Sequence, residues 1–142
     1  MITVQKALFL RKVPLFSGMP AREIGRIANI AEELVFRAGE VIIREGEYGD
    51  SMYVIVDGTV LIYRGEDFLN TLVRNDYLGE MSILDGEPRS ATAKASSDCL
   101  VLRISQADFH EILASNFDAV LAIFRALSLR LRKREAEVRK PD

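Results

Sequence analysis

The chain has 142 residues, 49% of them hydrophobic and 28% charged, with a net charge of −2. That balance suits one globular domain with a real core, and it excludes a whole-domain basic field for nucleic acid or membrane. The longest apolar runs are a few residues, far below the roughly 20 that cross a bilayer, so no membrane span is expected. The N-terminus, Met1-Ile2-Thr3-Val4-Gln5-Lys6, has no basic stretch ahead of a long apolar core, and so does not read as a signal peptide. Cys99 is the only cysteine, so no internal disulfide forms; a reducing, cytoplasmic setting fits. Its neighbours Leu100 and Val101 point to a buried, inert thiol. His110 is the only histidine. It excludes a multi-histidine metal site and reads as a solvated helix position, not a catalytic base.

In chain order, three zones appear. Residues 1–33 read as helical. A short helix over 4–12 precedes Pro14, and Pro20 is placed to open a second helix at its first position. Ile24, Ile27, Ala28 and Ala31 then recur at helical spacing. Residues 34–104 read as strands. Segments 41–43, 52–56, 60–63, 68–73, 91–95 and 99–104 are short and rich in β-branched or aromatic residues. Turn pairs such as Glu45-Gly46, Asp57-Gly58 and Arg64-Gly65 punctuate them. Short strands at close, even spacing predict a compact barrel or double-sheet roll. Residues 105–142 read as helical again. Ser105-x-x-Asp108 resembles a capping box with Asp in place of Glu. A long helix is expected over about 117–138, with Phe117, Val120, Phe124, Leu127 and Leu131 forming a seam against the roll or a second helix.

One insertion interrupts the strands: Tyr77-Leu78-Gly79-Glu80-Met81-Ser82-Ile83-Leu84-Asp85-Gly86-Glu87-Pro88-Arg89-Ser90-Ala91-Thr92. It is too polar and glycine-marked for a strand and too short for an ordinary helix. Gly79 can take a positive φ or let a ligand approach the backbone. Glu80 to Leu84 can form one helical turn whose first N–H groups lack partners, a natural seat for phosphate. Arg89 can hold two phosphate oxygens in fork geometry. Ser90 adds a hydroxyl and an N–H, and Glu80 offers an acceptor for sugar hydroxyls. The same Glu80 and Arg89 equally suit a plain surface ion pair, and the residues alone leave both readings standing.

Gly79-Glu80-Met81-Ser82-Ile83-Leu84 followed by Pro88-Arg89-Ser90-Ala91-Thr92 resembles the phosphate-binding cassette of the cyclic-nucleotide-binding domain family. The likeness extends to Leu15-Phe16-Ser17-Gly18, to Ala38-Gly39-Glu40 with Glu45-Gly46-Glu47-Tyr48-Gly49-Asp50, and to Met52-Tyr53-Val54-Ile55-Val56-Asp57-Gly58. It implies a single domain over 1–142, mainly β with flanking α. The core is an eight-stranded, jelly-roll-like β-roll over 34–104, with the cassette at 79–92. N-terminal helices, a short cassette helix and a long C-terminal helix surround it.

By the same resemblance, Glu80 takes the ribose 2′-hydroxyl and Arg89 the cyclic phosphate. Backbone groups of Gly79, Ser82, Ser90 and Ala91 complete the phosphate seat. Ile62, Leu69 and Leu72 carry the base, although plain core packing explains each of them equally well. Arg130 sits where some relatives contact ligand. Two departures stand out. The connection at Arg64-Gly65-Glu66-Asp67 is short, and Arg134-Glu135 replace the small hydroxyl residues that cap the base in the bacterial catabolite activator protein.

The implied function is a regulatory sensor, not an enzyme, that binds cAMP in preference to cGMP, needs no cofactor or metal, and signals through its C-terminal helix to an effector the sequence does not name. The cAMP preference rests on an apolar base floor without groups that read guanine; Ser90 alone does not decide it. The alternative is a non-binding relative used for assembly, and a cupin-like metal enzyme is remote with one histidine. No DNA-reading domain is recognised after the long helix. Arg130, Arg132, Lys133, Arg134, Arg139 and Lys140 are broken by Glu135 and Glu137, and so read as a solvated helix face. The helical seam allows a weak homodimer.

Overall fold

The computed structural model describes residues 1–139. Lys140 of the basic cluster and the side chain of Arg139 lie outside the described residues. Helix α1 (Thr3–Leu10) ends two residues earlier than the sequence predicts. There Lys12 N–H and Val13 N–H turn back to the carbonyls of Phe9 and Leu10, which tightens the chain and buries Val13, Leu15 and Phe16. Helix α2 spans Ala21–Ile30, and Pro20 stands just outside it with ψ 143°. It is the cap, not the first helical residue, because its carbonyl already receives the N–H groups of Glu23 and Ile24.

Eight strands follow: β1 (Glu32–Phe36), β2 (Val41–Ile43), β3 (Ser51–Asp57), β4 (Val60–Arg64), β5 (Asp67–Leu72), β6 (Tyr77–Leu78), β7 (Thr92–Ala95) and β8 (Cys99–Ser105). They form two antiparallel four-stranded sheets, ordered β1-β8-β3-β6 and β2-β7-β4-β5. Two strands were not singled out in the sequence. β1 opens on Glu32-Glu33 and is mostly solvent-facing, and β6 is two residues long, so neither carries a strong alternating pattern.

The central pair β3 and β8 is buried on both faces. Met52, Val54, Val56, Leu102 and Ile104 face the helices, while Ile55, Cys99 and Val101 face the second sheet. Their near-continuous apolar runs in the sequence reflect that double burial. Cys99 is buried and free, as its apolar neighbours imply.

A short helix α3 (Glu80–Asp85) leaves the roll between Gly79 and Gly86, both with φ above +70°. Helices α4 (Gln106–Ala114) and α5 (Phe117–Arg139) close the chain, bent by 116° at their junction. Ser105 caps α4 by accepting the Asp108 N–H at 3.2 Å, and its hydroxyl donates to the Asp108 carboxylate. His110 is exposed, with a ring nitrogen against the Ile83 carbonyl of α3. No single helix among the described residues is long and apolar enough to cross a membrane.

The predicted α5 seam faces the roll only in part: Val120 and Leu127 are half-buried, and Leu127 packs against the core. The docked face is Ala119, Ala122 and Ile123, whereas Phe117, Phe124 and Leu131 are exposed. The docked face joins two alanines, which let the helix lie close to its neighbours, to Ile123, so it is offset from the stripe of largest side chains.

The α4–α5 junction is tied to α2 by a buried carboxylate. Glu23 accepts from Asn116 Nδ2 at 2.9 Å and from Arg26 at 3.1 Å, and Asn116 Oδ1 accepts the Ala119 N–H that opens α5. Arg26 also donates to Ser115 Oγ. The Asn116 hydrogen bond, helped by Arg26 and opposed by burial, holds the Glu23 pKa below its ordinary value. A depressed carboxylate contributes stability above its unfolded pKa and loses it as pH falls through the folded one. Glu23→Gln is therefore expected to cost about 1.5–3 kcal/mol at neutral pH. Its melting temperature should fall less steeply than wild type between pH 5 and 3. Parallel melting curves would show that Glu23 carries none of this dependence.

Candidate ligand site

A cavity of about 370 Å³ opens between β4, β5, the β6–α3–β7 connection and α5. It gathers every residue that the sequence singled out for a site: Ile62, Leu69, Leu72, Gly79, Glu80, Ser82, Arg89, Ser90, Ala91 and Arg130. A larger cleft of about 500 Å³ lies along α2 and α4, but its charged lining residues, Arg22, Arg26, Asp108 and Glu111, all reach solvent.

Arg89 dominates the cavity chemically. Its side chain is buried, with the residue 6% exposed, yet no carboxylate lies within ion-pairing distance among the described residues. Its Nη1 donates to the Gly79 carbonyl at 2.8 Å and its Nη2 to the Ser51 carbonyl at 2.5 Å. Desolvation by burial lowers its pKa from the ordinary value. The backbone is pinned as well: Arg89 N–H donates to Glu47 O at 2.8 Å, and Gly46 N–H donates to Arg89 O at 2.9 Å.

Gly49 makes this placement possible. A Cβ there would lie 1.9–2.1 Å from the guanidinium atoms. Two neutral carbonyls satisfy donors but do not cancel a buried charge. A guanidinium held this way has the chemistry to take an anion.

Glu80 is buried too, and its partner is not Arg89. Arg130 Nη1, from α5, donates to Glu80 Oε1 at 2.8 Å, and the same guanidinium lies 5.5 Å from the Tyr77 ring centre. Burial opposes the Arg130 charge, but the hydrogen bond and attraction of Glu80 win and raise its pKa. The two charges of the cassette are therefore held apart, which removes the surface ion pair between them as a reading.

Ile62 and Leu72 are half-buried and Leu69 is exposed at the rim. Ile62 stands opposite Asn70 across the β4–β5 pair.

The sequence profile of the cyclic nucleotide-binding domain matches residues 33–116. The chain belongs to that family. The cyclic-nucleotide-binding domain is 34% identical, over 74% of its own length, to the cAMP-dependent protein kinase regulatory subunit of Emericella nidulans. It spans 26% of that relative. Among solved structures it resembles the regulatory domain of Toxoplasma gondii protein kinase A, crystallised with cAMP, with TM-score 0.77 and 26% identity. That likeness covers 89% of this chain and 50% of the other. The catabolite activator protein of Thermus thermophilus matches with TM-score 0.76 and 26% identity, over 88% of this chain and 61% of that one. The eight-stranded roll with its long C-terminal helix is the family fold.

Within this domain, sequence reasoning passed over several residues that line the cavity or hold Arg89 in place. Gly49 entered only as part of the segment 45–50 that carries the family resemblance; its role is close approach to Arg89, which no local pattern reveals. Ser51 contributes a carbonyl, and backbone acceptors leave no sequence signal. Arg64, whose Nε donates to Ser90 O at 3.3 Å, and Tyr77 line the cavity as well. Arg134, noted as a departure from the cap residues and as part of the basic helix face, stands at the same rim.

An anion seat can be tested without any nucleotide. Inorganic phosphate is expected to raise the melting temperature above that in chloride at equal ionic strength. At ten times its Kd the gain is about 1.4 kcal/mol, or roughly 4 °C. Arg89→Ala should abolish the difference; its persistence in that variant would place the anion elsewhere.

Proposed function

We propose that this domain is a ligand sensor that binds a 3′,5′-cyclic nucleotide, cAMP in preference to cGMP, and relays binding through α5. The observation that carries the proposal is Arg89, a buried cation without a carboxylate, sharing one cavity with the buried acceptor Glu80. A cyclic phosphate supplies the one negative charge that Arg89 lacks. Ser82, Ser90, Gly79 and Ala91 lie around the same corner and offer hydroxyls and N–H groups to the remaining phosphate oxygens. Glu80 accepts from the ribose 2′-hydroxyl. Ile62, Leu69 and Leu72 offer the base apolar area and no group that selects guanine. The likeness to cAMP-dependent protein kinase regulatory subunits favours the same nucleotide. The role is binding and release, with no bond made or broken, and the whole span of the chain forms the one sensing unit.

The relay follows from Glu80. Arg130 already occupies one of its carboxylate oxygens, so a ribose hydroxyl arriving there competes with α5 or shares Glu80 with it. A second link runs through α3: Ile83 O accepts from Gln106 Nε2 of α4 at 3.3 Å and meets His110. A ligand shifts α5 only by binding one helix position better than another.

Calorimetry tests the binding. Losing one partner of a buried charged contact costs about 2–5 kcal/mol, so Arg89→Ala should weaken cAMP binding roughly 30- to 5,000-fold. The 2′-deoxy analogue should bind more weakly to wild type and no more weakly to a variant lacking the Glu80 carboxylate. Tighter binding of cGMP than cAMP would overturn the base preference alone; unchanged affinity in Arg89→Ala would overturn the site.

Hydrogen exchange tests the relay. With cAMP, residues 79–92 should gain protection and 125–139 should change, and Arg130→Ala should uncouple the two. If the cassette becomes protected while 125–139 stays identical, α5 is not the output element.

A further inference from the structure

Strand β4 brings a second guanidinium to the cavity. Side chains alternate along a strand, so Arg64 shares the face of Ile62. Both line the cavity, while Tyr63 between them packs on Phe68, ring centres 5.8 Å apart. The pairing of β4 with β7 sets the level at which Arg64 stands. Ile62 lies opposite Ala93 and Tyr63 opposite Thr92. One step further along the same pair, Arg64 meets the segment Arg89-Ser90-Ala91. Its side chain follows that register, with Nε donating to Ser90 O at 3.3 Å.

Charge gives this placement a use. Asp67 lies opposite Arg64 across the β4–β5 turn, yet Arg64 forms no ion pair among the described residues. Glu45, the other carboxylate at that turn, has Oε1 taken by the Gly65 N–H at 2.8 Å. The Nε contact leaves the Nη groups of Arg64 for another acceptor. A phosphate diester spreads one negative charge over two free oxygens, and each oxygen can take a guanidinium N–H. Arg89 is buried, and Arg64 is exposed at the solvent edge of the same segment. We propose that Arg64 is a second anion-binding residue of this cavity, taking the phosphate oxygen that Arg89 does not. The inference deepens the sensor reading and rests on its anion seat at Arg89.

Two probes test it on the full chain: inorganic phosphate, followed by the melting temperature, and cAMP, followed by calorimetry. An exposed charged contact is weak, so Arg64→Gln should weaken each probe about three- to fivefold. Arg64→Lys should lose less than Arg64→Gln, since it keeps the charge without the fork. Arg134→Gln, at the far rim on α5, measures the effect of removing a nearby charge that makes no phosphate contact, and should lose less than twofold. Because Arg64 is exposed, the melting temperature without ligand should stay near wild type. The two phosphorothioate diastereomers of cAMP each replace one free oxygen. One of them should bind Arg64→Gln as well as it binds wild type, while the other loses affinity as cAMP does. Unchanged affinity for both probes in Arg64→Gln would overturn the inference and leave the seat at Arg89 standing. Equal losses in Arg64→Gln and Arg134→Gln, or equal losses for the two diastereomers, would overturn it as well, reducing Arg64 to part of a general field. Phosphate binding that needs Arg64 and Arg89, with no binding of cAMP or cGMP, would uphold the inference and overturn the nucleotide reading.

Discussion

The arrangement around Arg89 is the constraint on which the rest of the cavity depends. A buried guanidinium is costly unless something negative faces it, and the fold supplies only two carbonyls, from Gly79 and Ser51. Neither is free to drift. Ser51 begins β3, the strand buried on both faces, and Gly79 holds a left-handed conformation at the mouth of α3. Gly49 leaves the space in which the guanidinium lies, and the exchange of backbone hydrogen bonds with Gly46 and Glu47 fixes Arg89 from below. The strand buried on both faces thus helps set the position of a buried charge that no carboxylate answers among the described residues.

That charge stays unanswered because Glu80 is engaged elsewhere. Had the two residues of the cassette paired with each other, the cavity would neutralise itself and an incoming anion would have to break an ion pair. Arg130 prevents this by reaching across from α5. One guanidinium therefore does two things: it satisfies a buried carboxylate, and it ties that carboxylate to α5. Tyr77 supports it from the ring face and is itself shielded from solvent enough that burial raises its pKa.

How much of this the sequence reveals varies with how local the cause is. The runs 52–56 and 99–104 announce strands because double burial demands apolar residues at nearly every position, Arg103 excepted. The cassette is legible because its glycines, Glu80 and Arg89 are chemically distinctive and adjacent. β1 and β6 are not legible, since one is mostly solvated and the other is set by its pairing with β3. Gly49, the Ser51 carbonyl and the Glu23–Asn116 contact are silent for a common reason: each matters through a residue 38 to 93 positions away. The α5 seam misleads in a more instructive way. Periodicity locates large apolar residues, but α5 docks through Ala119, Ala122 and Ile123, so the stripe most visible in the sequence is turned partly to solvent, at Phe117, Phe124 and Leu131.

That offset bears on how α5 is held. Burial stabilises in proportion to apolar area, at about 25 cal/mol per Å², and alanines bury little. The firm attachment of α5 is therefore at its start, where Ile123 packs into the core and Asn116 joins Glu23 to the first turn. Ala126 and Leu127 are only partly buried, and further on the contacts with the roll become polar: Arg130 on Glu80 and Tyr77, with Arg134 at the cavity rim. Polar contacts of this exposure are individually weak because solvent screens them. The helix is thus anchored at one end by packing and steered at the other by a single ion pair, and that ion pair shares its carboxylate with the cavity.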